Sequence, residues 1–186
     1  MAGVFLPVVG PSGAGKDTLI DAARHQLVGD DRFHFVRRVI TRPADAGGEQ
    51  HVAATLATFG ALEAAGGFAL SWRAHDLAYG IPVSADGELA NGRHVIANLS
   101  RGAIGAAVAR YAAVCVLHVT APAELLRARL TARQREDETS QGARLKRVAV
   151  LPDGVRVIEI VNDGSIELGA GRLLGALQAV AANGAR

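Results

Sequence analysis

The sequence has 186 residues, 49% of them hydrophobic, and a formal net charge of +2. This length suits a single domain, residues 1–186, with a full hydrophobic core, and the near balance of charge argues against a strongly cationic nucleic-acid binder. No signal segment opens the sequence and no apolar run reaches membrane-spanning length, so we expect a cytoplasmic protein without nucleic-acid or membrane partners. The single cysteine, Cys115, excludes a disulfide within the chain. The sequence allows a homodimer and does not fix the oligomeric state.

Apolar strands alternate with amphipathic helices along the whole chain. Strands are expected at residues 3–9, 33–40, 68–73, 93–98, 113–119 and 155–161. Helices are expected at residues 16–28, 55–65, 102–110, 122–133 and 165–182. This alternation predicts an α/β fold in which helices cover both faces of a parallel sheet.

A glycine-rich segment, G-P-S-G-A-G-K-D-T, joins the first strand to the first helix. The spacing G-x-x-x-x-G-K in this context is the P-loop pattern, in which backbone N–H groups and a helix N-terminus cradle nucleotide phosphates. Lys16 is expected to reach the β and γ oxygens as a point charge. The next position usually carries Ser or Thr as a Mg²⁺ ligand, and here it is Asp17, with Thr18 after it. The alternative, a chance glycine loop, is disfavoured by the lysine in register. The candidate nucleotide contacts are Gly10, Pro11, Ser12, Gly13, Ala14, Gly15, Lys16, Asp17 and Thr18.

Basic and hydroxyl side chains gather where the second predicted strand ends. They are Arg37, Arg38, Thr41 and Arg42. Ligands of open α/β sheets bind at the carboxyl ends of the strands, so these residues are candidates for holding an anionic substrate. The alternative is a solvated strand end.

A second basic cluster lies near the end of the fourth predicted helix and just beyond it. Its arginines are Arg127, Arg129, Arg133, Arg135, Arg144 and Arg147. We expect a helical lid at about residues 130–143, because arginines on a closing lid neutralise a transferring phosphoryl group and exclude water. The alternative is a solvated face with i,i+4 ion pairs. Arg133 and Arg135 are the strongest lid candidates.

The chain resembles the guanylate-kinase-like group of P-loop kinases almost from end to end. The matching segments are residues 10–18, 41–43 and 79–82, the lid arginines, and residues 161–163. Within this group the chain is most similar to the ribose 1,5-bisphosphate phosphokinase family. The segments that carry this closer similarity are residues 15–18, 37–43, 68–72, 79–82 and 98–101.

The resemblance implies an ATP- and Mg²⁺-dependent kinase of phosphonate catabolism that converts ribose 1,5-bisphosphate to 5-phosphoribosyl 1-diphosphate. It implies catalytic roles for Lys16, Arg129, Arg133 and Arg135, and it places the adenine near Asn162. The acceptor is expected in an insert at about residues 41–90, and packing of that insert is an equal alternative for Trp72 and Tyr79. The candidate acceptor contacts are Arg37, Arg38, Thr41, Arg42, Ser71, His75, Tyr79, Gly80, Arg101 and Arg144.

The chain also departs from guanylate kinases at two places. Those enzymes read the guanine edge with a carboxylate in the segment that matches residues 68–72, where this chain has Leu70 and Ser71 and no acid. Asn98 stands where their strand ends in an acid, so we expect Asp17 and Thr18 to supply the Mg²⁺ ligands. A guanylate-kinase-like nucleoside monophosphate kinase is the alternative function. A non-catalytic interaction module is disfavoured because the phosphate-loop lysine and the lid arginines are retained.

Overall fold

The structure is a computed structural model that describes residues 3–45, 49–132, 152 and 154–183. The strands are β1 (Phe5–Val9), β2 (Phe33–Phe35), β3 (Val39–Ile40), β4 (Val52–Ala53), β5 (Phe68–Ala74), β6 (Leu77–Pro82), β7 (His94–Asn98), β8 (Cys115–Thr120) and β9 (Arg156–Val161). The helices are α1 (Lys16–Gln26), α2 (Leu56–Ala64), α3 (Ser84–Ala90), α4 (Ile104–Arg110), α5 (Ala123–Ala132) and α6 (Ile166–Asn183), with a 3-10 turn at Arg101–Ala103 before α4.

The central sheet has five strands in the order β2-β7-β1-β8-β9, and all its pairings are parallel. Every residue of β1 is buried, as expected for the middle strand of a parallel sheet with two covered faces. Val8 of β1 is in register with Asn98 of β7 and Leu117 of β8. The carboxyl ends of these three strands therefore meet at one edge, and the glycine loop leaves β1 at that edge.

Helices cover both faces of the central sheet. On one face, α1 and α6 pack on the strands through Leu19, Ala23, Leu173 and Leu177. On the other face, α3 and α4 pack on the strands through Ala85, Ile104 and Ala107. The predicted α/β fold with a parallel sheet between helical layers is confirmed.

A second sheet has four strands in the order β4-β3-β6-β5. The prediction of one continuous strand at residues 33–40 is wrong, because this stretch contributes to both sheets. The N–H of Val36 still donates to the Ile96 carbonyl of the central sheet over 2.9 Å, whereas the Arg38 carbonyl accepts from the N–H of Val52 over 2.8 Å in the second sheet. The backbone thus crosses from one sheet to the other within three residues and carries Arg38 to the boundary between them.

Within the part of the chain that the structure describes, no helix combines the length and the apolar character needed to cross a membrane.

Candidate active site

The glycine loop makes two close approaches that only glycine allows. A Cβ on Gly10 would lie 2.1 Å from the carbonyl oxygen of Val119, and a Cβ on Gly15 would lie 2.5 Å from Nδ2 of Asn162. Gly15 also has φ of +86°, a left-handed conformation that side chains disfavour. The loop is therefore wedged against the ends of β8 and β9, and its shape depends on these glycines.

Lys16 begins α1 and folds back over the loop. Its Nζ donates to the carbonyl oxygens of Gly10 at 2.9 Å and Pro11 at 3.0 Å. Burial of the ammonium group lowers the pKa of Lys16 to about 8, with the charge of Asp17 opposing this shift and the charges of Arg38 and Arg101 adding to it. Arg38 and Arg101 thus both lie within electrostatic reach of Lys16 at the loop.

Asn162, just after β9, and Arg129, in α5, support the glycine loop. Asn162 is only 5% exposed. Its Nδ2 donates to the Ala14 carbonyl over 2.8 Å, and its backbone N–H donates to the Thr120 carbonyl over 2.7 Å. Arg129 Nη1 donates in turn to the Asn162 carbonyl over 3.3 Å. Both predicted site residues lie beside the loop, but the Asn162 amide holds the loop itself, and its contact with adenine stays a prediction.

Hydrogen bonds connect the polar side chains of Asp17, Asn98, Glu49 and Arg38 next to the glycine loop. Asn98 Nδ2, at the end of β7, donates to Asp17 Oδ1 over 2.5 Å and to Glu49 Oε2 over 3.4 Å. Glu49 accepts from Nε of Arg38 over 2.8 Å, and also from its Nη2. Burial raises the pKa of Glu49, opposed by the charge of Arg38, while the charge of Asp17 raises it further. Sequence analysis did not select Glu49, because its partners lie 11 and 49 positions away along the chain.

Arg38 rests on a pair of aromatic rings. Trp72 and Tyr79 face each other across β5 and β6, with their ring planes 6° apart and their centroids 5.4 Å apart. The Arg38 guanidinium carbon lies 5.1 Å from the Tyr79 centroid and 5.9 Å from that of Trp72. These are cation–π distances. The Trp72 Nε1–H donates to Ser100 Oγ over 2.8 Å, so the aromatic pair also fastens the second sheet to the edge of the central sheet.

His51 closes the segment that carries Glu49. Its Nε2 lies 3.1 Å from the carbonyl oxygen of Arg42, and its Nδ1 lies 3.1 Å from that of Glu49. His51 is 6% exposed. Thr41, a predicted acceptor contact, uses its Oγ1 to accept from the backbone N–H of Ala78 over 2.8 Å. These contacts hold both ends of the segment in place, Thr41 and Arg42 at one end and Glu49 and His51 at the other.

Three predicted acceptor contacts lie on β5, on β6 and in the turn between them. The Ser71 hydroxyl donates to Glu63 Oε1 over 2.6 Å, on the face of β5 opposite to Trp72. A Cβ on Gly80 would lie 2.5 Å from the ring of Phe68, so this glycine makes room for packing. His75 lies in the tight turn between β5 and β6, with φ of +53°. Their roles in binding stay predictions.

The remaining predicted residues divide into two groups. Arg37 is exposed next to buried Arg38, and no role in binding follows from its position alone. Arg133, Arg135 and Arg144, with most of the predicted lid, lie outside the described residues.

The architecture defines a class of protein. A guanylate kinase from Anaplasma phagocytophilum superposes with a TM-score of 0.72, covering 100% of this chain and 89% of that chain at 19% sequence identity. This likeness shows the fold alone. With the glycine loop and its lysine at the carboxyl edge of the sheet, the chain has the architecture of the guanylate-kinase-like P-loop proteins.

Sequence comparisons identify the family within this class. A ribose 1,5-bisphosphate phosphokinase PhnN from Rhodopseudomonas palustris is 51% identical over 152 residues, covering 81% of this chain and 78% of the relative. A bifunctional ribose 1,5-bisphosphokinase-thymidine phosphorylase from Azorhizobium caulinodans is 45% identical over 179 residues, 96% of this chain. The chain spans 26% of the length of that bifunctional relative. No family model matches the chain. The chain belongs to the ribose 1,5-bisphosphate phosphokinase family, and the predicted resemblance is confirmed.

Proposed function

We propose that this chain transfers the γ-phosphoryl group of ATP to ribose 1,5-bisphosphate, giving 5-phosphoribosyl 1-diphosphate and ADP. The observation that carries the proposal is the position of Lys16, buried at the glycine loop within electrostatic reach of both Arg38 and Arg101. Cations gathered at a phosphate loop bind phosphate groups through charge-assisted hydrogen bonds. The relatives named above support this choice of acceptor.

The chemistry of the acceptor suits this site. An oxygen of the C1 phosphate would attack the γ-phosphorus in line, and the bond from the γ-phosphorus to its bridging oxygen would break to release ADP. The second pKa of a phosphate monoester is about 6, so the attacking oxygen is already unprotonated near neutral pH. No general base is then required, and the chain contributes position and positive charge.

The nucleotide side has residues that fit Mg²⁺. Asp17 and Thr18 lie in the first turn of α1 beside the loop. Mg²⁺ prefers oxygen ligands and is usually held by one or two protein oxygens together with substrate phosphates. Asp17 Oδ1 accepts from Asn98, and its Oδ2 makes no hydrogen bond to a described residue. We propose that Asp17 and Thr18 hold Mg²⁺, which would neutralise charge on the β and γ oxygens of ATP.

An acceptor panel tests the proposed reaction. ADP release is measured with ATP and, in turn, ribose 1,5-bisphosphate, GMP, dGMP and dTMP. Lys16→Ala serves as the blank, since it removes the lysine that reaches the transferred group. We expect kcat/KM for ribose 1,5-bisphosphate to exceed that for each nucleotide by at least about a hundredfold, because a missing binding partner for a polar substrate group costs several kcal/mol. Comparable turnover of GMP would overturn the proposal in favour of a guanylate kinase.

A further inference from the structure

Glu49 is an acid in a site that we propose binds a substrate with two phosphates. It lies at the junction of Arg38 and Asn98, and its side chain is 14% exposed. A carboxylate in this position repels phosphate. Its presence therefore needs a physical reason, either as a competitor that leaves when substrate binds or as a partner that stays.

The hydrogen bonds of Arg38 favour a partner that stays. A guanidinium offers two edges to bidentate anions, one through Nε and Nη2 and the other through Nη1 and Nη2. Glu49 Oε1 takes the first edge. In the described part of the chain, Nη1 of Arg38 makes no hydrogen bond. The second edge is thus available to a phosphate while Glu49 remains bound.

Other contacts limit where the Arg38 guanidinium can lie. Its guanidinium carbon lies over the rings of Tyr79 and Trp72, and the bonds from Nε and Nη2 to Glu49 Oε1 limit its rotation. Glu49 is itself held through Asn98 Nδ2, which also bonds Asp17 at the start of α1. The contacts of Glu49 therefore link the arginine on the acceptor side to the helix that follows the phosphate loop.

We propose that Glu49 is a positioning residue for acceptor binding, which orients the Nη1–Nη2 edge of Arg38 toward a substrate phosphate. This role rests on the proposed function, since it assigns the phosphate to the acceptor. Glu49 itself touches neither the acceptor phosphate nor the transferred group, and it acts through Arg38.

The substitution Glu49→Gln tests this role, and the chain offers a matched control. Glu63 forms a comparable pair with Arg73, with Oε2 2.7 Å from Nη2, but on the outer face of the second sheet. We expect Glu49→Gln to raise the KM for ribose 1,5-bisphosphate about tenfold while leaving the KM for ATP within about twofold, because a charge-assisted bond is stronger than a neutral one. Glu63→Gln should change neither constant.

Trp72, the single tryptophan of the sequence, gives a readout that does not depend on turnover. Its emission is recorded while ribose 1,5-bisphosphate is added without ATP. The midpoint of the titration should rise about tenfold in Glu49→Gln and stay at the wild-type value in Glu63→Gln. A thermal melt of each variant checks folding, and Glu49→Asp, which keeps the charge, should recover part of the loss.

A double variant separates positioning from a general structural effect. If Glu49 acts through Arg38, then Arg38→Gln with Glu49→Gln should bind the acceptor no worse than Arg38→Gln alone. Additive losses, or a wild-type KM in Glu49→Gln, overturn the role of Glu49 and leave the proposed function intact. A wild-type protein that neither binds nor phosphorylates ribose 1,5-bisphosphate overturns both.

Discussion

Replacing Lys16 by methionine should abolish phosphoryl transfer and at the same time stabilise the unliganded protein. Burial lowers the pKa of Lys16 from its ordinary value of 10.5 to about 8. At about 1.4 kcal/mol per pH unit, the charged ammonium costs the folded state about 3 kcal/mol at pH 7. Methionine has a similar shape and no charge, but it gives up the bonds to the Gly10 and Pro11 carbonyls, worth about 1 kcal/mol each beyond the cost of the charge.

The expected net gain is about 1 kcal/mol, or about 2–4 °C in Tm for a domain of this size. The gain depends on pH. The pKa of Lys16 is lower in the folded state, so the unfolded state binds more protons between pH 8 and 10.5 and the stability of the wild type rises over that window. The stability of Lys16→Met relative to wild type should therefore fall by about 2 kcal/mol between pH 7 and pH 9.5, from about 1 kcal/mol above wild type to about 1 kcal/mol below it.

Urea unfolding of both proteins at pH 7 and pH 9.5, without nucleotide, measures the two differences. Other groups titrate in the same range, but they cancel when wild type and variant are compared at each pH. A Lys16→Met protein that is less stable than wild type at pH 7, or an advantage that does not change with pH, would refute this reasoning.

Three further predictions follow from individual contacts. Asn162→Ala should weaken ATP binding about tenfold in calorimetry, because the loop carbonyl it satisfies loses its partner; Asn183→Ala, which loses a similar bond on an exposed helix end, should leave ATP binding unchanged. Gly80→Ala should lower the free energy of unfolding by about 1–3 kcal/mol, since its Cβ would enter the ring of Phe68, and unchanged urea unfolding would exclude that clash. His94 Nδ1 accepts from a backbone N–H and burial lowers the pKa of His94, so its stabilisation is full above the unfolded pKa of about 6.5 and is lost as pH falls through the lower folded value. Relative to His94→Asn, the wild type should lose unfolding free energy between pH 7.5 and 5, and parallel pH profiles would contradict this.

The glycine loop could be predicted from sequence because all of its determinants are adjacent. Residues 10–18 carry the glycines, the lysine and the start of the helix, and the flanking apolar strand is recognisable by itself. The central strands could be predicted for the same reason, since each is a continuous buried run such as β1. The sequence pattern is sufficient to predict an element when residues adjacent in sequence determine its structure.

The second sheet and its part of the site could not be predicted in this way. β6 contains Gly80 and Pro82 and α3 contains Gly87, residues that weaken strand and helix patterns, so neither element was expected. The break between β2 and β3 depends on which sheet offers a partner on each side of residue 37. The pairing depends on strands that are distant in sequence, and the sequence of residues 33–40 carries no pattern that reveals it.

Contacts between distant segments also escaped the sequence analysis. Asn162 meets Ala14 across 148 positions, and Asn98 meets Glu49 across 49. Asn162 was selected by resemblance as a cofactor contact, and the structure adds its hydrogen bond to the loop. Glu49 carried no signal beyond lying in a polar loop, although burial of an acid beside an arginine is what marks it in the structure.

The most direct test follows the phosphoryl group itself. Protein is incubated with γ-³²P-labelled ATP, Mg²⁺ and an equimolar mixture of ribose 1,5-bisphosphate and GMP, and the products are separated. We predict that the label enters the diphosphate of 5-phosphoribosyl 1-diphosphate, and that Lys16→Ala yields no labelled product. Label found in GDP, with none in 5-phosphoribosyl 1-diphosphate, would contradict the proposed function.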